Sequence, residues 1–209
     1  MRPRVKICGI TRTEDACAAA ALGADAIGMI FTPRSPRCIS VDQARQIRNA
    51  LPPLVATVAL FMDAEPEFVR IVAGRLGPTL LQFHGEEDDA WCAQFGYPYL
   101  KALAMGDGGD ATTRLAAFPR AAGFVLDGHA RGEPGGQGRG FDWSGLPRID
   151  RPWLLAGGLD PANVADALRR ARPWGVDVSS GVEAHPGLKD ARKLQAFFQE
   201  IHRETAAQD

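Results

Sequence analysis

The chain has 209 residues, is 45% hydrophobic, and carries 24 Lys and Arg against 25 Asp and Glu, for a formal net charge of −1. That length supports one large domain or two small ones with a substantial core, and the balanced charge gives no reason to expect nucleic acid or an anionic membrane as a partner. No apolar run approaches a membrane span and the N-terminus lacks a signal-peptide core, so a soluble, cytoplasmic protein is expected.

In chain order, β-rich apolar runs fall at Val5–Ile10, Ala26–Phe31, Leu54–Phe61, Thr79–His84, Tyr99–Met105, Gly123–Asp127, Trp153–Gly157 and Gly175–Ser179. Helical patterns lie between most of them, at Thr13–Leu22, Val41–Leu51, Pro66–Arg75, Glu86–Phe95 and Pro161–Arg172, with a last one at Asp190–Arg203. Thr13 ahead of Glu14 and Asp15, and Asp160 ahead of Pro161, read as helix starts. Parallel neighbours need crossovers, so alternation of this kind implies a parallel sheet. Eight β units predict a closed (β/α)8 TIM barrel, a single domain over residues 1–209. An open doubly wound sheet is the competing arrangement.

One stretch breaks the alternation. Gly128–Gly140, "GHARGEPGGQGRG", is too glycine-rich for a helix and follows the sixth strand. Its Gly136-Gln137-Gly138 lacks the helix and acidic residue of a dinucleotide fingerprint. A mobile loop over the barrel mouth is expected there.

The four cysteines, Cys8, Cys17, Cys38 and Cys92, form no C-x-x-C pair and do not combine with histidines at zinc spacing, so neither a disulfide framework nor a metal site is expected. Any cysteine chemistry is then that of a single thiol. Reacting groups in barrels of this kind stand at the C-terminal ends of strands. The first strand ends at Cys8-Gly9 and the second runs into a proline-stiffened loop carrying Arg34 and Arg37. The fourth ends at His84 and the sixth at Asp127. The seventh closes on Gly157-Gly158 and the eighth on Ser179-Ser180-Gly181, where exposed amides and hydroxyls suit a phosphate without a metal ion.

Period-2 alternation adds a geometric expectation. If Cys8 faces the lumen, so does Lys6, with Val5 and Ile7 against the helices. Asp127 then shares the lumen with Val125, and Asp177 with Ser179. Lys6 pairing with Asp177 of the neighbouring eighth strand follows as an expectation.

The motifs "KICGIT" (Lys6–Thr11), "GADAIGMIF" (Gly23–Phe31), "SPRCIS" (Ser35–Ser40), "LQFHGEE" (Leu81–Glu87), "FDWS" (Phe141–Ser144), "LAGGLDPANV" (Leu155–Val164) and "VDVSSGVE" (Val176–Glu183) occur in this order along nearly the whole chain. Together they resemble phosphoribosylanthranilate isomerase, an enzyme of tryptophan biosynthesis. The resemblance implies an Amadori rearrangement of N-(5-phospho-β-D-ribosyl)anthranilate, with no cofactor. It implies Cys8 as general base, Asp127 as general acid and Arg37 as the contact for the anthranilate carboxylate, with phosphate held by Gly157, Gly158, Ser179, Ser180 and Gly181. Asp177 and His84 are candidate substrate contacts, and limited solvent in the lumen would help keep the acid protonated. The sequence departs from the family after Asp127, where Gly128-His129 replaces a small hydroxyl residue.

Cys17, Cys38 and Cys92 are expected to be structural; Arg34, His129, His185 and His202 belong to loops or the surface. A monomer or a homodimer is expected. Two other functions fit parts of the pattern: a phosphosugar lyase using Lys101 as a Schiff-base amine, and a non-catalytic barrel that binds a phosphometabolite.

Overall fold

In the computed structural model, which describes residues 2–106, 110–128, 146 and 149–206, eight parallel strands pair in sequence order and close on themselves. They are β1 (Arg4–Ile7), β2 (Ala26–Ile30), β3 (Ala56–Phe61), β4 (Leu80–Phe83), β5 (Tyr99–Ala104), β6 (Gly123–Asp127), β7 (Trp153–Leu155) and β8 (Gly175–Val178). Closure is made by β1 against β8, in the register Lys6↔Asp177. The barrel, not the open sheet, is therefore the architecture. The glycine-rich stretch expected to cover the mouth, from His129 on, lies outside the described residues.

The helices are α1 (Thr13–Leu22), α2 (Val41–Ala50), α3 (Pro66–Leu76), α4 (Asp89–Ala93), α5 (Ala111–Ala116), α6 (Val164–Ala171) and α7 (Ala191–Ala206). Ser40 and Gln43 build a reciprocal capping box that starts α2. Of the two expected starts one differs. Helix α1 begins at Thr13 as expected, with no side-chain cap at the preceding Arg12. Asp160-Pro161 opens a turn rather than α6: the Asp160 carboxylate accepts from Ala162 N–H at 2.7 Å, which delays the helix to Val164. Helix α5 was not anticipated, because six residues are too few to show a helical period. A short antiparallel hairpin, β9 (Glu183–His185) and β10 (Leu188–Lys189), was also missed.

Parity along the strands separates two cores. Val5, Ile7, Phe124, Leu126, Val176 and Val178 pack outward against the helices in the main cluster. On the same outer side Phe31, Phe61 and Phe83 stack at centroid distances of 5.6 and 6.1 Å. The lumen holds a much smaller apolar plug, Ala102, Val125, Leu154 and Ala156 with Leu100. Above the plug, the C-terminal end of the lumen opens into a cleft lined by both polar and apolar groups.

Candidate active site

The C-terminal strand ends converge on one cleft whose lining includes Cys8, Arg37, His84, Asp127, Asp177 and the paired glycines Gly157 and Gly158. Ser179 and Ser180 line it too; Gly181 follows them in the turn Ser180–Val182 but does not reach the cleft wall. Every other expected site residue is thus gathered in one place. The wall also carries apolar Ile30, Leu60 and Met62, a surface suited to an aromatic ring.

Cys8 directly follows β1, and its N–H extends the ladder by donating to Val178 C=O at 2.8 Å. It is buried. Gly28 on β2 leaves room for it, since a Cβ there would lie 2.8 Å from Sγ. Burial raises the thiol above its ordinary pKa, and the charges of Lys6 and Lys189 act in the opposite direction. Beneath it Lys6 Nζ donates to both Asp177 oxygens at 2.9 Å, as the alternation predicted. Burial works against that ammonium, yet Asp177 and Cys8 outweigh it and hold Lys6 above its ordinary value.

Asp127 closes β6, reached from Cys8 around the barrel by way of β8 and β7, and is buried. His84 stands beside it, Nε2 lying 3.9 Å from Oδ2. Gly157 and Gly158 line the cleft at φ values of +85° and +67°, conformations that side chains resist. The Asn163 side chain, just ahead of α6, donates to Gly158 C=O at 2.7 Å and fixes that turn.

Arg37 is buried, with its Nε and Nη2 donating to the Glu183 carboxylate at 2.9 and 2.7 Å. Sequence reasoning did not foresee that partner, nor Lys189, whose Nζ donates to the same carboxylate at 2.9 Å. It also missed Gln82, whose buried amide has no hydrogen-bond partner among the described residues, as is true of the Thr32 and Ser179 hydroxyls. All three residues line the cleft, and buried polar groups of this kind call for a polar ligand. Gln82 was within reach of the alternation rule, because it shares parity with His84.

Lys101, the Schiff-base alternative, does not line the cleft. It faces a separate cavity, where Nζ donates to Gly85 C=O at 2.6 Å and to Glu87 at 2.8 Å. Arg34, His185 and His202 are exposed, as expected. Cys17 and Cys38 are exposed too, so of the three cysteines expected to be structural only Cys92 is buried.

The sequence profile described as N-(5′-phosphoribosyl)anthranilate isomerase matches residues 5–200. The chain belongs to this isomerase family. The N-(5′-phosphoribosyl)anthranilate isomerase of Xanthomonas campestris pv. campestris strain 8004 is 51% identical, over 97% of this chain and 94% of its own. The phosphoribosyl anthranilate isomerase of Thermotoga maritima superposes with a TM-score of 0.86 at 40% identity, covering 96% of this chain and 99% of that one. Another solved isomerase, in complex with reduced 1-(o-carboxyphenylamino)-1-deoxyribulose 5-phosphate, gives 0.84 at 38% identity, covering 96% and 99%. The seven-motif resemblance is therefore family membership, and the chain is a phosphoribosylanthranilate isomerase of tryptophan biosynthesis. Among the described residues no helix is long and apolar enough to cross a membrane.

Proposed function

We propose that in this isomerase Cys8 and Asp127 are the base and acid of the rearrangement of N-(5-phospho-β-D-ribosyl)anthranilate to 1-(2-carboxyphenylamino)-1-deoxy-D-ribulose 5-phosphate. The observation that carries this is their joint presence, both buried, in a cleft that also holds a guanidinium and two amide-rich turns. Asp127 gives its proton to the furanose ring oxygen as the C1′–O bond breaks, which leaves an iminium between C1′ and the anthranilate nitrogen. The iminium acidifies the C2′ proton. Cys8 removes it as thiolate, and the resulting enolamine takes a proton at C1′ and gives up its C2′ hydroxyl proton to become the ketone. Arg37 holds the anthranilate carboxylate, with the ring against Ile30, Leu60 and Met62. Asp177 and His84 contact the ribose side of the substrate.

The 5′-phosphate sits on Gly157, Gly158, Ser179 and Ser180, by amides and hydroxyls. Gly158→Ala tests that placement. An L-residue at its φ of +67° costs about 1–2 kcal/mol, and the turn relaxes away from the ligand. Competitive inhibition by inorganic phosphate should weaken, with the circular-dichroism spectrum unchanged. Undiminished phosphate binding would remove these glycines from the grip.

Asp127→Asn preserves shape but cannot give up a proton. Turnover of N-(5′-phosphoribosyl)anthranilate should fall by about 10²–10⁴-fold, while the reduced product analogue still binds. Retained turnover in this variant and in Cys8→Ser would favour a non-catalytic phosphometabolite barrel. For assembly, a further Thermotoga maritima structure describes monomers generated from a dimeric isomerase (37% identity, TM-score 0.82, covering 96% and 98%). That supports a homodimer as one of the two expected states, and sedimentation velocity distinguishes it from a monomer.

A further inference from the structure

We propose that Glu183, braced by Lys189, is a positioning residue that locks one edge of the Arg37 guanidinium so that the other edge faces the cleft and selects an aromatic carboxylate. The inference deepens the proposed function and rests on its assignment of Arg37 to the anthranilate carboxylate.

A guanidinium can grip a carboxylate along either of two two-donor edges, Nε/Nη2 or Nη1/Nη2. Here Glu183 takes the Nε/Nη2 edge at 2.9 and 2.7 Å, which leaves Nη1/Nη2 for a ligand. The stem is confined as well. Gly9, at φ +72°, brings the backbone so close that a Cβ there would lie 2.4 Å from Arg37 Cδ. A long side chain that would otherwise lose considerable rotamer freedom on binding is thus ordered beforehand.

Lys189 fixes the fixer. Its Nζ donates to Glu183 Oε1 at 2.9 Å, to Cys8 C=O at 2.7 Å and to Ser179 C=O at 3.1 Å, so the three ammonium donors have three acceptors. One buried amine therefore ties the backbone of the base, the backbone of the phosphate turn and the carboxylate that aims Arg37. The hairpin β9–β10 sets Lys189 opposite Glu183. It is pinned to the first βα loop by the Thr11 hydroxyl, which donates to Gly187 C=O at 2.5 Å. It is also pinned to the start of α1, where the Asp15 carboxylate accepts from Lys189 N–H at 3.1 Å. Two cations and one anion leave the cluster one positive charge in excess, facing an anionic substrate. The arginine and the lysine hold the Glu183 carboxyl below its ordinary range in spite of burial.

The test compares Glu183→Gln, Arg37→Met and the double variant on N-(5′-phosphoribosyl)anthranilate, with binding of the reduced product analogue and of inorganic phosphate alongside. Glu183→Gln places an amide against the arginine donors, so KM should rise about tenfold while kcat changes little, and the analogue should weaken equally. Arg37→Met should raise KM further, and adding Glu183→Gln to it should cost nothing more. Inorganic phosphate should bind all three alike. Additive effects of the two substitutions, or an unchanged KM in Glu183→Gln beside an impaired Arg37→Met, would overturn the positioning role and leave the Arg37 assignment standing. An unimpaired Arg37→Met overturns both. Should Glu183→Gln not fold, Glu183→Asp carries the test, since it keeps the charge but withdraws the carboxylate by one methylene. It should show a smaller rise in KM, and an unchanged one would again overturn the proposal.

Discussion

Cys8→Ser is expected to lower kcat by about 10²–10⁴-fold while leaving phosphate binding intact. The hydroxyl is nearly isosteric with the thiol, but it ionises far less readily, so the C2′ proton loses its acceptor. The wild-type pH profile carries the more specific signature. Burial raises the Cys8 thiol above its ordinary value, with Lys6 and Lys189 in opposition, and the ionised form is the base. Turnover needs Cys8 ionised and Asp127 protonated together, so the wild-type profile should be bell-shaped, and Cys8→Ser should lose the limb that belongs to the thiol. Stability runs the other way. A raised thiol pKa favours the folded state fully below the unfolded value of 9.0 and loses that contribution as pH rises through the folded value. Urea unfolding at neutral and alkaline pH should show wild type losing more stability than the variant. A profile of the same shape in both proteins would take the role of base away from Cys8.

Lys6→Met should have the largest effect on stability. Asp177 and Lys6 side chains are 7% and 2% exposed, so removing the amine leaves a buried carboxylate without its counter-charge. Breaking a pair of this kind costs about 3–5 kcal/mol. Asp177 can escape part of that cost by taking up a proton, which makes the loss pH-dependent. A carboxylate raised in the folded state contributes stability below its unfolded pKa and loses it as pH rises through the folded pKa. The variant should accordingly be closer to wild type at about pH 5 than at about pH 8. Adding Asp177→Asn should recover stability at pH 8, since no charge is left to bury. The same lysine favours the Cys8 thiolate, so the alkaline limb of Lys6→Met should move to higher pH. Equal destabilisation at both pH values would count against the pair as described.

Much of this architecture is legible one segment at a time. Eight apolar runs and their spacing predict the barrel, and parity predicts that Lys6, Cys8, Asp127, Val125 and Asp177 share its lumen. Gly157-Gly158 mark a turn that only glycine adopts readily. These features are local: period, turn chemistry and capping each span a few residues. The shortest pieces escaped, because α5 is six residues long and the β9–β10 hairpin is shorter than an alternation pattern can reveal.

The cluster around Arg37 was out of reach for a different reason. Arg37 and Glu183 are 146 residues apart in sequence, and they meet only because β1 closes against β8 and a hairpin folds back over the seam. Gln82 stood in a quoted motif, but its importance lies in having no partner inside the barrel, which is a property of the packed lumen. Fold class, family and the faces of the strands are written in the chain segment by segment, since they follow from short-range periodicity and ordered motifs. The tertiary structure alone decided which charges neutralise each other and which edge of Arg37 remains for a ligand, because those depend on distances that closing the barrel creates.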